Sequence, residues 1–364
     1  MYLFNQLKPH ITITNDTVEC PVLGCNNIVE RQKATFRVDD KYLCKDHQIY
    51  ISPSTHQLVN YNNNLLWKSS RDTNLLESIC KVKRDKDRRL GRERSEDALT
   101  WNVFRYLDNM NDLLSLCGSI RGKRVSELDV IYWSYSTNLG KQYPLLNEAR
   151  LEFGETIGGG SEPDLILDTK EALYFIEVKF GSSNYTTPTI KKDETIEKYY
   201  KKYRTGGDCL FNDIFTSSFD EIFIAGYYEL LRFWLLGNWM AKKENKEFYL
   251  INLTPMFMEE DIETRFGKYI KATPTRKFLR LEWEANFYSS FANKYRTDDE
   301  KLLMNYFLQK TLGYTQEGNL VKAFYNQGIN PKKIKLTPLT KEENKLVIEG
   351  LKKLREMSAK NKLE

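Results

Sequence analysis

Residues 162–180 read EPDLILDTKEALYFIEVKF, and this stretch decides which fold we expect of the chain. The run from Leu173 to Phe180 is so apolar and aromatic that it predicts a strand buried on both faces. A second apolar run, Leu165 to Leu167, predicts a neighbouring strand. The polar residues 168–171 between the two runs are typical of a hairpin turn. The stretch therefore predicts a β-hairpin whose second strand lies in the core.

Charged residues near the end of this second strand are chemically informative. Glu177 and Lys179 lie in the apolar run, where an unpaired charge is costly, so each requires a partner, a metal ion or solvent. Strand alternation places both side chains on one face, and the hairpin brings Asp164 near Glu177. The plainer alternative is a surface Asp164 beside a turn proline and a Glu177–Lys179 ion pair at a strand end.

Two carboxylates and a lysine that converge at a strand end suit phosphodiester hydrolysis. Mg²⁺ binds carboxylate and carbonyl oxygens and keeps several waters, which leaves room for a phosphate oxygen and an attacking water. Asp164, Glu177 and the carbonyl of Val178 are the candidate Mg²⁺ ligands. Lys179 is expected to orient or deprotonate the water, or to neutralise charge that develops on the phosphate.

The pattern of Pro163-Asp164 followed by Glu177-Val178-Lys179 resembles the PD-(D/E)xK nuclease superfamily. That resemblance implies the restriction-endonuclease-like fold, an α/β architecture in which a hairpin of a mixed sheet flanked by helices carries the Asp, the Glu and the Lys. It covers roughly residues 90–290 and implies a Mg²⁺-dependent nuclease with Asp164, Glu177 and Lys179 in the catalytic site.

Members of this superfamily often have a further acid on a helix before the sheet, and the residues after Ser95 fit such a helix. Ser95 is a candidate N-cap, and Glu96 shares one helical face with Leu99, Val103 and Leu107. Glu96 is therefore the preferred catalytic acid and Mg²⁺ ligand. Asp97, on the face of Trp101 and Phe104, is the alternative. Both acids could instead only complement the helix dipole.

A second similarity lies downstream, where some members have a Tyr-rich helix with a Gln-Leu-Leu-Arg-like stretch before another strand. Here residues 228–232 read YELLR and are followed by the apolar run 248–253. Glu229 stands where an amide is expected. Arg232 is expected either to contact phosphate or to extend its charged end from a core helix.

The N-terminal part carries an independent metal-binding pattern. Cys20 and Cys25 are followed by Cys44 and His47, with eighteen residues between Cys25 and Cys44. Two close pairs of soft or borderline ligands suit a closed tetrahedral Zn²⁺ site, and Gly24 permits a tight turn between the first two. The segment resembles small zinc knuckles. Three thiols and a surface histidine without metal are the alternative.

Basic residues are concentrated at two places. Residues 81–94 contain eight basic residues in fourteen, and residues 198–204 interleave cations with tyrosines. Contacts with nucleic acid are favoured over two solvated surfaces, because both segments flank the predicted acidic metal site. The candidate contacts are Lys83, Arg84, Arg88, Arg89, Lys198, Lys201, Lys202 and Arg204.

The organisation that follows has four parts: a zinc-binding module (1–65), a basic linker (66–94), a nuclease core (95–290) and a helical C-terminal region (291–364). With 364 residues, of which 41% are hydrophobic, the chain can fill one large core and an appendage. The start lacks a signal-peptide pattern, and six scattered cysteines do not suggest a secreted disulfide scaffold, so the cytoplasm is the expected location. No membrane span is expected either.

The function expected from the sequence is a Mg²⁺-dependent endodeoxyribonuclease of the restriction or genome-defence type that acts on double-stranded DNA. Cutting both strands usually requires two active sites, which a homodimer would provide, although no residue specifies one. Two alternatives remain at this stage. One is a non-catalytic, zinc-containing DNA-binding protein, and the other is a ribonuclease or DNA-repair nuclease on the same fold. Only three histidines occur, which disfavours a histidine-based hydrolase.

Overall fold

The structure is a computed structural model that describes residues 7–83, 89–187, 196–288 and 297–324, with residues 196–199 as backbone only. Arg84, Arg88 and the side chain of Lys198 lie outside the described residues. The end of the predicted C-terminal helical region, 325–364, also lies outside them.

The N-terminal module consists of short strands and turns. Its strands are β1 (Thr17–Glu19), β2 (Ile28–Glu30), β3 (Leu43–Cys44), β4 (Ile49–Ile51) and β5 (His56–Leu58). β1 pairs with β2, and β3, β4 and β5 form a separate antiparallel sheet. A small apolar cluster surrounds the three cysteines of the predicted zinc site. A core of this size gives little folding energy, so a structural metal would contribute much of the module's stability.

The helices precede, connect and follow the strands of a larger sheet. They are α1 (Ser70–Val82), α2 (Glu96–Asn109), α3 (Leu113–Arg121), α4 (Pro144–Glu152), α5 (Ile196–Ile214), α6 (Phe219–Ile224), α7 (Tyr228–Glu244), α8 (Ile262–Gly267) and α9 (Asp298–Gln309). α5 contains non-helical backbone from Gly206 to Cys209. Within the described ranges, no helix combines the length and the apolarity needed to cross a membrane.

Seven strands form one mixed sheet between two layers of helices. They are β6 (Leu128–Tyr132), β7 (Tyr135–Ser136), β8 (Lys141–Gln142), β9 (Leu165–Thr169), β10 (Ala172–Val178), β11 (Glu247–Thr254) and β12 (Arg276–Glu282), in the order β12-β11-β10-β9-β6-β7-β8. β10, β11 and β12 are parallel, whereas β10, β9, β6, β7 and β8 pair antiparallel. One face packs against α1, α2, α3 and α9, and the other against α4 to α8. The α/β class with a mixed sheet is confirmed.

The hairpin predicted from residues 162–180 is formed by β9 and β10. All seven residues of β10 are buried, and Leu173 pairs with Asp168 while Ile176 pairs with Leu165. The turn is shorter than expected, because β9 continues through Thr169 and leaves only Lys170 and Glu171 between the strands. The hydroxyl of Thr169 closes the turn by donating to the carbonyl of Ala172 at 2.7 Å.

Parallel pairing of β10 with β11 requires a long crossover, which α5, α6 and α7 supply. Just before α7, the chain forms a single β-bridge with the segment after β10, in which the Thr186 amide donates to the carbonyl of Gly226 at 2.7 Å. The amide of Glu229 then donates to the Thr186 hydroxyl at 2.9 Å. The first turn of α7 therefore lies close to the end of β10.

The prediction of a mostly helical region after residue 290 is wrong for residues 311–322. After α9, the strands β13 (Thr311–Tyr314) and β14 (Leu320–Lys322) form a hairpin that packs on the N-terminal module. The Leu320 amide donates to the carbonyl of Pro9 and the Tyr314 amide to that of Ser54, both at 2.9 Å. Partners this far away in sequence leave no local pattern, so helix periodicity could not reveal this hairpin.

A buried ion pair joins the C-terminal end of α9 to the segment before α2. The Lys310 ammonium lies 3.6 Å from the Glu93 carboxylate and donates to the Glu93 carbonyl at 2.6 Å. Both side chains are essentially inaccessible to solvent. Burial lowers the pKa of Lys310 and raises that of Glu93, while each charge partly offsets the shift of the other. Burial and the Lys310 charge lower the pKa of neighbouring His56 to about 3, so His56 is neutral at pH 7.

We expect Lys310→Ala to lower the free energy of unfolding by about 3 to 5 kcal/mol, because it leaves the Glu93 carboxylate buried and uncompensated. Lys301→Ala is the matched control. Its ion pair with Asp298 is exposed, and its loss should cost less than about 1 kcal/mol. Urea unfolding of both variants measures the difference, and equal small losses would contradict the assigned role of the buried pair.

Candidate functional site

A cavity of about 490 Å³ opens at the end of β10. Its lining is dominated by charge, with six carboxylates and five cationic side chains. These are Glu96, Asp97, Glu162, Asp164, Glu177 and Glu229, and Arg89, Arg92, Arg94, Lys179 and Arg232. Elements from both sides of the sheet, and the loop that precedes β9, contribute to it. The cavity therefore gathers residues that lie more than 130 positions apart in sequence.

The innermost residues are the ones that the hairpin carries. The Lys179 ammonium donates to the Glu177 carboxylate at 2.6 Å and to the Glu229 carboxylate at 2.9 Å. The Asp164 carboxylate accepts from the Val178 amide at 2.9 Å, which fixes it beside the strand end. Glu177 and Lys179 are only 5% and 6% exposed. The structure thus brings together Asp164, Glu177, Val178 and Lys179, and adds Glu229.

The pKa values of Lys179 and Glu177 are both shifted by burial and by the neighbouring charges. Burial disfavours the Lys179 ammonium, but Glu177, Glu229 and Asp164 outweigh it, and the pKa of Lys179 lies well above its usual value. Burial raises the pKa of Glu177, with Asp164 and Glu229 adding to the shift and Lys179 opposing it. With all four groups ionised, these three carboxylates and one ammonium carry a formal charge of −2 among themselves.

Glu96, the candidate acid on α2, lines the cavity beside the segment that follows β10. Ser95 caps α2 through its hydroxyl, which accepts from the Ala98 amide at 2.9 Å. The Glu96 carboxylate accepts from the Phe180 amide and from the Ser182 hydroxyl, both at 2.7 Å, so it holds the segment that follows β10. Asp97 also lines the cavity, and both candidate acids therefore remain within the same site.

Another acidic residue of the cavity, Glu162, is paired with basic residues of the protein. Its carboxylate accepts from the Ser134 hydroxyl at 3.0 Å and contacts the Lys83 ammonium, and the Arg150 guanidinium lies 3.9 Å away. Lys83 was a candidate phosphate contact, but its side chain is only 11% exposed. The structure therefore assigns Lys83 to an internal ion pair, which leaves the inner cluster without this cation.

The buried end of α7 interacts with the glycine-rich loop before β9. The Arg232 guanidinium donates to the Glu155 carboxylate at 3.0 Å and to the Ser161 hydroxyl at 2.7 Å. Burial opposes its charge, yet Glu155 outweighs this effect, and the pKa of Arg232 is raised. Gly160 packs so closely on Glu155 that a Cβ atom there would collide with the carboxylate. Arg232 is therefore held by its hydrogen bonds to Glu155 and Ser161, and it also lines the cavity. Its contact with phosphate stays a prediction.

The predicted nucleic-acid contacts are distributed unevenly. Arg89 is exposed at the cavity, together with Arg92, which the sequence analysis did not select. Lys201 is exposed, Lys202 lies 3.4 Å from the Gly154 carbonyl, and Arg204 pairs with Asp220 at 3.2 Å. These three residues of α5 are not part of the cavity lining. The signal that was missed is that Arg92 and Arg94 directly precede the helix of Glu96.

The four residues of the predicted zinc site converge in the N-terminal module. Their ligand atoms all lie within 4.8 Å of one another. Cys25 Sγ lies 3.8 Å from Cys44 Sγ, and His47 Nδ1 lies 3.8 Å from Cys20 Sγ and 3.5 Å from Cys44 Sγ. Tetrahedral Zn²⁺ with Zn–S bonds of about 2.3 Å requires S···S separations of about 3.8 Å. The cluster can therefore hold zinc through three sulfurs and one imidazole.

The surroundings of this cluster also suit a metal. Gly24, between the first two cysteines, adopts a left-handed φ of 78°, which permits the tight turn that brings Cys25 back toward Cys20. The side-chain amide of Asn27 donates to Cys44 Sγ at 3.5 Å. Burial raises the pKa of Cys20, so a thiolate at this position needs a nearby cation.

Comparison with known proteins adds no relative from which a role could be transferred. No protein-family model matches the chain, and neither a curated protein nor a solved structure matches it. The α/β class and the capacity to hold zinc therefore rest on the residues and distances of this chain alone.

We expect the protein to be isolated with about one Zn²⁺ per chain, and Cys44→Ser to lose the metal and unfold the N-terminal module, because structural zinc supplies folding energy. Cys209→Ser is the matched control, since Cys209 is exposed and lies outside the cluster. Elemental analysis and limited proteolysis provide the measurements. Full retention of structure by metal-free wild-type protein would contradict the assignment.

Proposed function

We propose that this protein is a Mg²⁺-dependent endodeoxyribonuclease that hydrolyses DNA phosphodiester bonds, of the restriction or genome-defence type. The observation that carries the proposal is the inner cluster, in which Asp164, Glu177 and Glu229 surround the single ammonium of Lys179. This excess of negative charge lies in a cavity that also exposes arginines. In this proposal a divalent cation binds the carboxylates and phosphate binds the neighbouring arginines.

The types of donor proposed here suit Mg²⁺. Carboxylate and carbonyl oxygens are the ligands that this hard ion prefers, and Asp164, Glu177 and the carbonyl of Val178 would hold it, with Glu96 as the further carboxylate. The ion would neutralise charge on the phosphate and lower the pKa of a bound water. The proposed Mg²⁺ ligands are oxygens and the cavity lining contains no cysteine, whereas the zinc cluster offers three sulfurs, so the two metals would be separated by ligand chemistry.

Lys179 acts in this proposal through its charge. Without a metal ion, the neighbouring carboxylates outweigh the effect of burial and hold the pKa of Lys179 well above its usual value, so the ammonium is charged before the ion binds. Hydrogen bonds to Glu177 and Glu229 fix Nζ beside the carboxylates. An ammonium held in place before substrate arrives can stabilise negative charge that develops on the phosphate at little reorganisation cost.

We expect Glu177→Gln and Asp164→Asn each to abolish cleavage, and Lys179→Met to lower the rate by about 10² to 10³-fold, the usual effect of losing one preorganised electrostatic contact. The amide substitutions keep side-chain volume, so folding should be preserved. Glu244→Gln is the matched control, because Glu244 is exposed on α7 and outside the cavity. Cleavage is measured with Mg²⁺ on plasmid DNA, single-stranded DNA and RNA.

These substrates also separate the alternatives. Cleavage of RNA alone would replace DNA as the substrate. Binding of DNA without Mg²⁺-dependent cleavage of any of the three would favour the non-catalytic DNA-binding alternative. Wild-type activity in Glu177→Gln would remove the basis of the nuclease assignment.

The exposed arginines of the cavity are expected to neutralise DNA phosphates. Each contact releases counterions, so the dependence of log affinity on log salt should weaken by about 0.9 in Arg89→Ala, and by about 1.8 when Arg92→Ala is added. Lys81→Ala, an exposed cation of α1 outside the cavity, is the control and should leave the slope unchanged. Fluorescence anisotropy on two unrelated duplexes measures the slope, and a parental slope in the double variant would exclude these contacts.

A further inference from the structure

A second cavity of about 450 Å³ lies between the N-terminal module and the segment after β10. The module contributes Phe36 and residues 52–57, and the core contributes Gly181 and Ser182. Arg92, Arg94 and Glu96 line both this cavity and the proposed catalytic cavity. A ligand bound across these shared residues would therefore extend from one cavity into the other.

Gln57 is the polar group that sets this cavity apart. The residue is only 7% exposed, and its side-chain oxygen is buried without a hydrogen bond from any described residue. An unsatisfied buried amide oxygen lowers stability, so its presence requires an explanation. A ligand that enters the cavity and offers an N–H donor would satisfy it.

The rest of the lining fits a flat, partly apolar ligand next to a phosphate. Phe36 is half-buried and packs edge-on against Tyr50, with ring centroids 6.3 Å apart, so its ring is held in place. Pro53 and Ala34 add apolar surface. The Arg94 guanidinium donates to the Gly181 carbonyl at 2.9 Å, whereas its Nε is buried without a partner among the described residues.

We propose that this cavity binds an extrahelical nucleobase of the nucleic acid whose backbone lies in the catalytic cavity. This inference rests on the proposed function and deepens it. The base stacks on Phe36, Gln57 contacts its edge, and the adjacent phosphate lies near Arg92 and Arg94. A base inside a duplex cannot reach a side chain that is buried to this extent, so the nucleotide must leave the helix.

The chemistry of Gln57 also predicts which base is preferred. The oxygen that lacks a donor is an acceptor, so it favours a base edge that offers an N–H group. Glutamine pairs bidentately with the amino group and N7 of adenine, an edge that thymine lacks, because thymine donates only through its N3–H. Adenine is therefore the expected occupant, and thymine is the base for comparison.

The test uses duplexes of one sequence that carry a single unpaired adenine, a single unpaired thymine or no unpaired base. Affinities are measured by fluorescence anisotropy in buffer without Mg²⁺ and without chelator, so that zinc is retained. Wild-type protein should bind the adenine bulge about tenfold more tightly than the paired duplex and prefer it over thymine. Gln57→Leu and Phe36→Ala should lose this preference while binding the paired duplex as the wild type does.

Gln57→Leu is the main variant, because replacing an unsatisfied buried oxygen by an apolar group of similar size should not lower Tm. A purely structural glutamine would show a lower Tm and unchanged base preference, which would overturn the inference. Ile28→Ala is the matched control, an exposed apolar truncation in the same module outside the cavity.

The outcomes distinguish this inference from the nuclease proposal. Mg²⁺-dependent cleavage together with an unchanged bulge preference in Gln57→Leu would overturn the inference alone. Loss of the preference in Gln57→Leu, without cleavage by the wild type, would support the base-binding cavity and refute the nuclease. If the wild type neither binds nor cleaves any nucleic acid, both are refuted.

Discussion

Compensation of charge at the buried end of β10 is the constraint on which the rest of the site depends. Glu177 lies in β10, all of whose residues are buried, and buried Lys179 directly follows this strand, so neither charge is stable there alone. Their ion pair reduces the cost, but Glu229 adds another carboxylate to the same ammonium. A proton or a further cation would therefore stabilise the cluster, and the proposed Mg²⁺ site rests on this imbalance.

The fold meets this constraint by separating the charges that could cancel the cluster. Nearby cations are held by other acids, with Lys83 on Glu162 and Arg232 on Glu155. A further cation at the cluster would reduce its formal charge from −2 to −1, and a divalent ion would gain less from binding. The surrounding ion pairs therefore matter to the proposed chemistry because they hold Lys83 and Arg232 on other acids.

The N-terminal module is integrated with the core by backbone pairing and by one buried ion pair. β5 pairs with the segment around Arg92, and the β13–β14 hairpin forms hydrogen bonds with Pro9 and Ser54. The ion pair between Lys310 and Glu93 also lies at this junction. These contacts fix Phe36 and Gln57 beside the arginines of the catalytic cavity. Zinc would then do more than stabilise a small module, because it would also hold one wall of the second cavity.

The sequence by itself determined the features that local periodicity and spacing encode. These are the β9–β10 hairpin, the α2 N-cap at Ser95, and the two cysteine-containing pairs that converge on one cluster. Only the tertiary structure decided which charges meet. Glu229 contacts Lys179 because the parallel crossover returns α7 to the end of β10. Lys83 forms an ion pair with Glu162, which is 79 residues away in sequence. Such pairings depend on how distant elements pack, and a charge run in sequence looks the same whether its members face solvent or a buried acid.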